Sequence, residues 1–283
     1  MSRRVGVWNP APHGARLAYN TFMPRSAVAA VGSLVVLAGL IAALAWRDRP
    51  ATATRPVVIL AAPTVRIPLD ALAADYTRET GQPVVIDWGP SEQLVTTARF
   101  PTKHRPADVL IPADDSYLTQ ARDLGLLDEW TTLAHVRAVI LLAPNNPAGI
   151  ATWDDLHADR VRVAVPNESA AVGKLTRDHL IRTGRWYALQ PRVKDVLTVT
   201  EAANAAKVGS VDAGVVWDAV AAGPGYRGQI VLKVPELDGV RGKVAAGVLN
   251  QSPDAEAARR FVRFLSDPER GMARFREAGF TTP

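Results

Sequence analysis

Residues 57 to 81 read VVILAAPTVRIPLDALAADYTRETG, and this stretch decides the fold. Val57 to Ala62 is a short apolar run rich in β-branched residues, the composition of a strand buried on both faces. From Pro68 to Glu79 the apolar residues Leu69, Leu72, Ala73 and Tyr76 fall at the spacing of one helix face, and the pattern stops before Gly81. A second apolar run, Val84 to Trp88, follows directly. Strand, helix and strand in so short a span make a parallel crossover unit.

The alternation continues outward from that unit. Asp108 to Ile111, Ala138 to Ala143, Val161 to Val165 and Ala213 to Trp217 read as further strands. Helical patterns occupy Ser91 to Ala98, Asp115 to Leu124, Val172 to Arg182, Thr200 to Val208 and Pro253 to Leu265. Strands interleaved with helices indicate an α/β protein with largely parallel sheets. The body shows no internal repeat and no low-complexity tract.

The amino-terminal region has a different character. Ala27 to Trp46 carries no charge, is fenced by Arg25 and Arg47, and is long enough to cross a hydrocarbon layer of ~30 Å. Residues 1–26 are basic and free of acids, which predicts a cytoplasmic tail, a transmembrane anchor at 27–46 and a linker at 47–56, with the body outside the cell membrane. Ala43-Leu44-Ala45 also has the small-x-small form of a signal-peptidase site, but the apolar run exceeds the ~7 to 15 residues of a signal core, so its length favours the anchor.

The formal charge of +5 is concentrated in that region. Seven arginines and one aspartate precede residue 56, which leaves 26 basic and 27 acidic residues in the body. A nearly neutral body, with no run of basic residues interleaved with aromatics, argues against nucleic acid as a partner. The chain has no cysteine, so disulfides, thiolate nucleophiles and thiolate metal sites are excluded.

Five further segments occur in a telling order. They are Gly89 to Leu94 (GPSEQL), Pro106 to Asp114 (PADVLIPAD), Val163 to Gly173 (VAVPNESAAVG), Gly209 to Ala219 (GSVDAGVVWDA), and Val244 to Leu249 followed by the helix from Pro253 to Leu265. Together with residues 57–81 they resemble the molybdate-type periplasmic solute-binding proteins of ABC importers, over nearly the whole body. The resemblance implies a two-lobed type II periplasmic-binding-protein fold, each lobe a mostly parallel sheet flanked by helices. Lobe 1 is expected at 57–138 with 241–283 and lobe 2 at 139–240, joined by crossings near Val139 to Ala143 and Val240 to Ala246. A monomer that closes on a small oxyanion, molybdate or tungstate foremost, and docks on an ABC permease and its ATPase subunit is the implied role. The chain itself has no GxxxxGK[ST] motif for ATP.

A tetrahedral anion can be held without countercharge where helix N-termini present unpaired backbone N–H groups and hydroxyls add donors. Thr64, Ser91 and Ala113 precede or open helices in lobe 1. The resemblance adds backbone N–H groups at Val172 and Val199 in lobe 2, and places Trp217 where the family has a tyrosine. Ser and Thr ahead of helices are also ordinary N-caps, so Thr64 and Ser91 carry both readings. Glu92 stands beside Ser91, and Arg66 and Lys174 lie near the openings of two such helices.

No residue set proposes catalysis, a cofactor or a metal site. The histidines (His13, His104, His135, His157, His179) are scattered, with no HxxxH or HExxH spacing. Asp114-Asp115 precedes a helix and reads as a cap. Tyr76, Tyr117, Tyr187 and Tyr226 are isolated, unlike the adjacent tyrosines of a ferric-ion binder. The alternatives left open are a membrane-tethered sensor or interaction module on the same fold, and a binder of a different anion.

Overall fold

The computed structural model describes residues 55–101 and 106–283. The first crossover unit is β1 (Val57–Ala61), α1 (Arg66–Thr80) and β2 (Val84–Trp88). All five residues of β1 are buried, and the face of α1 read from the sequence, Leu69, Leu72, Ala73 and Tyr76, is buried against the sheet. Next come α2 (Ser91–Arg99), β3 (Val109–Ile111), α3 (Ser116–Asp123) and the long β4 (Trp130–Leu142). The following segment carries β5 (Val163–Pro166), α4 (Ala171–Arg182), β6 (Val193–Val196), α5 (Val199–Lys207), β7 (Ala213–Trp217) and β8 (Val231–Leu232). The chain ends with β9 (Arg241–Val248), α6 (Ala255–Ser266) and α7 (Gly271–Glu277).

Among the described residues nine strands pair in the order β2-β1-β3-β9-β4-β7-β5-β6, with β8 against β4. Each end of this order is parallel, β2 with β1 and β3 at one end and β7 with β5 and β6 at the other. The middle is antiparallel, and β4 belongs to both halves. Its residues Trp130 to Arg137 pair with β9, whereas Ala138 to Leu142 pair with β7. The change of partner falls between Arg137 and Ala138, where pairing with β7 starts with Ala138 opposite Trp217.

The first half of β4 and all of β6 and β8 are not among the strands expected, and β9 is expected only as a crossing near Val240 to Ala246. In β4 a register shift between Thr132 and Ala134 breaks the two-residue alternation that marks a strand in sequence. In β6 (VKDV) none of the residues is fully buried, so its pattern is weak.

One part of the expected fold class is corrected. The transmembrane helix expected at 27–46, the basic tail and most of the linker lie outside the described residues. Among the described residues no helix is long and apolar enough to cross a membrane. The longest, α1, has 15 residues and includes Asp70, Asp75, Arg78 and Glu79, against the ~20 apolar residues a span requires. The fold is therefore the two-lobed α/β architecture, stated without a membrane helix.

A buried polar cluster fastens the start of β1. The Asp108 carboxylate, 1% exposed, accepts hydrogen bonds from Arg55 Nη1 at 3.0 Å and from the Val58 N–H at 2.8 Å. It also accepts the Ser252 hydroxyl. Backbone bonds from Asp108 N–H to Val58 and from Leu249 N–H to Asp108 complete the junction of β1, β3 and the end of β9.

Candidate functional site

Three chain segments leave the carboxyl ends of β1, β2 and β3 side by side, the place where open α/β sheets bind ligands. Ala62 N–H donates to Ile111 O at 2.9 Å and Gly89 N–H to Ala61 O at 3.2 Å, which ties the three ends together. Thr64 lies in the single 3₁₀ turn Pro63–Val65 after β1; it is buried, and its hydroxyl makes no hydrogen bond among the described residues.

Ser91 is the first residue of α2, the cap position being Pro90, so of its two readings the N-cap is not what its side chain does. Its hydroxyl oxygen instead accepts the Ala113 N–H at 3.2 Å, from the turn after β3. That bond uses a lone pair and leaves the O–H proton to donate elsewhere. It also commits the Ala113 N–H, so Ala113 lends shape rather than a free donor. Asp114 and Asp115 also differ from simple caps. Asp114 accepts from the Ser116 N–H and from the Lys243 N–H of β9, and Lys243 Nζ pairs with Asp115 at 2.9 Å.

The other lobe contributes two helix openings. In α4 the first bond to the turn before the helix runs from Lys174 N–H to Ala170 O at 3.0 Å. Ala171, Val172 and Gly173 sit ahead of it, where a helix leaves its N–H groups without intrahelical partners. A side chain at Gly173 would meet the Pro166 carbonyl oxygen at 2.0 Å, so only glycine lets α4 start this close to the end of β5. The buried Arg177 fixes the same loop by donating to the Pro166 carbonyl and to Asp195, with its guanidinium 4.9 Å from the Trp186 ring centroid. In α5, Thr198 accepts the Glu201 N–H at 3.1 Å while Glu201 reaches back to the Leu197 N–H at 2.8 Å. This reciprocal capping leaves the Val199 and Thr200 N–H groups ahead of the first helical bond, Ala202 N–H to Thr198 O.

Thr64, Ser91, Ala113, Val172, Val199 and Trp217 all line one cavity of about 10 Å³, together with Ala62, Pro63, Pro90, Ala170, Ala171 and Thr198. The structure thus brings together every site residue expected from the sequence. Thr198 was missed, although its T-x-x-E spacing to Glu201 was legible. The indole N–H of Trp217, which is 0% exposed, has no hydrogen-bond partner among the described residues. None of the lining residues is charged. Glu92 is exposed and outside the lining, Arg66 is exposed and lies 4.3 Å from the Trp88 ring centroid, and Lys174 is exposed and paired with Asp178 at 2.6 Å.

The two lobes touch across the cavity's rim. Glu92 N–H donates to Ser169 O at 3.1 Å, and the Tyr117 hydroxyl donates to Glu168 O at 3.4 Å. Burial, reinforced by nearby carboxylates led by Glu92, pushes the Tyr117 phenol well above its ordinary range, so it stays a donor. Among the described residues no group of three or more His, Cys, Asp or Glu is arranged to hold a metal ion.

Comparison with known proteins bears on the family and the fold. A family profile described as bacterial extracellular solute-binding protein matches residues 57–281. The molybdate-binding protein ModA of Mycobacterium tuberculosis is 28% identical over 238 residues, covering 83% of this chain and 87% of the relative. The ModA of Rhodobacter capsulatus is 26% identical over 238 residues, covering 82% and 90%. Among solved structures, the Azotobacter vinelandii periplasmic molybdate-binding protein superposes with a TM-score of 0.65 at 19% identity, over 80% of this chain and 99% of that one. The sulfate-binding protein SubI of Mycobacterium tuberculosis gives 0.67 at 17% identity, over 80% and 86%. At these identities the two structures speak for the fold alone.

Proposed function

The chain belongs to the bacterial extracellular solute-binding protein family, and from that premise we propose that it captures a small tetrahedral oxyanion, molybdate or tungstate foremost, between its lobes. Its role is binding rather than catalysis, and it acts outside the cytoplasm. The lobes are taken as 57–138 with 241–283 and 139–240. The loaded, closed form is delivered to an ABC-type permease driven by its ATPase subunit, since differential affinity for the closed state is the physical signal of a captured solute.

The observation that carries this reading is the unpartnered indole N–H of Trp217 on the wall of a cavity with no charged side chain. A buried donor left unpaired costs ~1–3 kcal/mol, and a ligand oxygen relieves that cost on binding. The Thr64 and Ser91 hydroxyls and the first N–H groups of α4 and α5 add donors from both lobes. A site made of donors suits an anion. A ferric ion needs carboxylate, phenolate or imidazole ligands, which the lining lacks. A protonated oxyanion such as hydrogen phosphate also needs an acceptor for its proton, and no carboxylate is there to take it.

The relatives' molybdate favours the larger anion, while the cavity itself favours a second reading. At about 10 Å³ it offers the room of roughly one water molecule, so any tetrahedral oxyanion needs it to open, and a smaller one needs it to open less. Sulfate, the smaller tetrahedron, is that alternative. Thermal unfolding with molybdate, tungstate, sulfate, phosphate and ferric ion separates these readings. A ligand at 100 times its dissociation constant adds ~2.7 kcal/mol. Stabilisation by molybdate or tungstate supports the proposal, sulfate alone supports the alternative, and a flat response to all anions sinks both.

A further inference from the structure

Gly242 lies outside the cavity wall, yet a side chain there would press on two residues of it. It stands on β9 opposite Val136 of β4, next to the place where Ala138 N–H bonds to Val240 O and the strands pass between lobes. A Cβ on Gly242 would lie 2.7 Å from the Ala113 carbonyl oxygen, 3.0 Å from Val136 Cγ2 and 3.2 Å from Trp217 Cη2. Interiors packed to crystal density have no slack for such contacts. The missing side chain is therefore what lets three segments converge: the Ala113 turn that Ser91 holds, the strand shared by both lobes, and the indole edge of Trp217.

We infer that Gly242 is a positioning residue for the oxyanion site, seating the Trp217 ring against β9 and so setting how much of the cavity that ring occupies. The inference rests on the oxyanion reading above. A methyl group at residue 242 meets the Ala113 carbonyl oxygen at 2.7 Å and the ring edge at 3.2 Å, so the Ala113 turn and the ring must both give way, and both stand on the cavity wall. A larger tetrahedral anion then suffers more than a smaller one. Gly242 acts on ligand size without touching ligand.

The test measures molybdate and sulfate affinities by titration calorimetry for the wild-type chain, Gly242→Ala, Trp217→Tyr and the double variant. Gly242→Ala is expected to weaken molybdate about tenfold or more, in line with one surplus methylene in a shaped pocket. The molybdate-to-sulfate affinity ratio should fall at least about threefold, a change that general loss of stability does not produce. In the Trp217→Tyr background, whose ring lacks the Cη2 edge, the same substitution should cost at least about threefold less.

Equal weakening of both anions, or the same loss in both backgrounds, overturns the inference while leaving the oxyanion reading intact. A wild-type chain that binds neither anion sinks the oxyanion reading itself. Should Gly242→Ala fail to fold, the double variant decides: recovered folding and binding support the contact with Trp217, and a double variant that stays unfolded refutes it.

Discussion

The hydroxyl oxygen of Ser91 accepts the backbone N–H of Ala113 at 3.2 Å, joining the segment after β2 to the segment after β3. Ser91→Ala removes a proposed ligand donor and strands a buried N–H at once. It should weaken the bound anion about tenfold and lower stability by ~1–3 kcal/mol. Titration calorimetry and urea unfolding read the two effects separately, and an unchanged affinity at lower stability would leave Ser91 a structural role only.

Trp217→Phe keeps a ring and deletes the unpartnered N–H. Relief of that orphan donor, ~1–3 kcal/mol, offsets the void left by the smaller ring. The ligand-free protein should stay within ~1 kcal/mol of wild type while anion affinity falls about tenfold. Affinity and stability falling together would mean that the indole serves packing alone.

Asp108→Ala tests the fastening of β1. It strands the Val58 N–H and removes the partner of Arg55 and Ser252. Because the Arg55 side chain is 35% exposed, solvent screens part of the ion pair. A loss of ~3 kcal/mol is expected, or a thermal midpoint lower by roughly 6–12 °C. A shift under about 2 °C would contradict it.

Acid should weaken the fold through two surface carboxylates. The Ala151 and Thr152 N–H groups and the Thr152 hydroxyl hold Asp155 below its ordinary value of 3.8, and Arg78 and Arg274 do the same for Asp75. A lowered carboxyl contributes stability that is present above its ordinary value and lost as pH falls through the lowered one. Thermal midpoints attributable to these groups should be flat from about pH 7 to 5 and fall below about pH 4. In Asp155→Asn that acid limb should be shallower, and an unaltered limb would count against the assignment.

Local patterns made much of the fold legible. The apolar face of α1 and the starts of α2, α4 and α5 follow from periodicity and turn residues, which act over a few neighbouring positions. The first half of β4 escaped because its register shift disrupts the alternation on which recognition depends, whereas the second half was read at Ala138 to Ala143. The partner of Ser91 escaped for another reason. Caps are local, and Ala113 lies 22 residues away.

The sequence by itself determined the alternation of strands and helices, the family resemblance and the six residues that converge on the cavity, because each follows from short-range pattern or ordered motifs. The tertiary structure decided what those residues do there. It made Ser91 a brace for Ala113 rather than a cap, faced Glu92 outward, buried Trp217 with its N–H unpaired, and left no room for a side chain at Gly242 between Ala113 and Trp217. Those outcomes depend on which distant segments share space when two sheets meet, and close packing, unlike helix periodicity, leaves no mark on neighbouring positions in the chain.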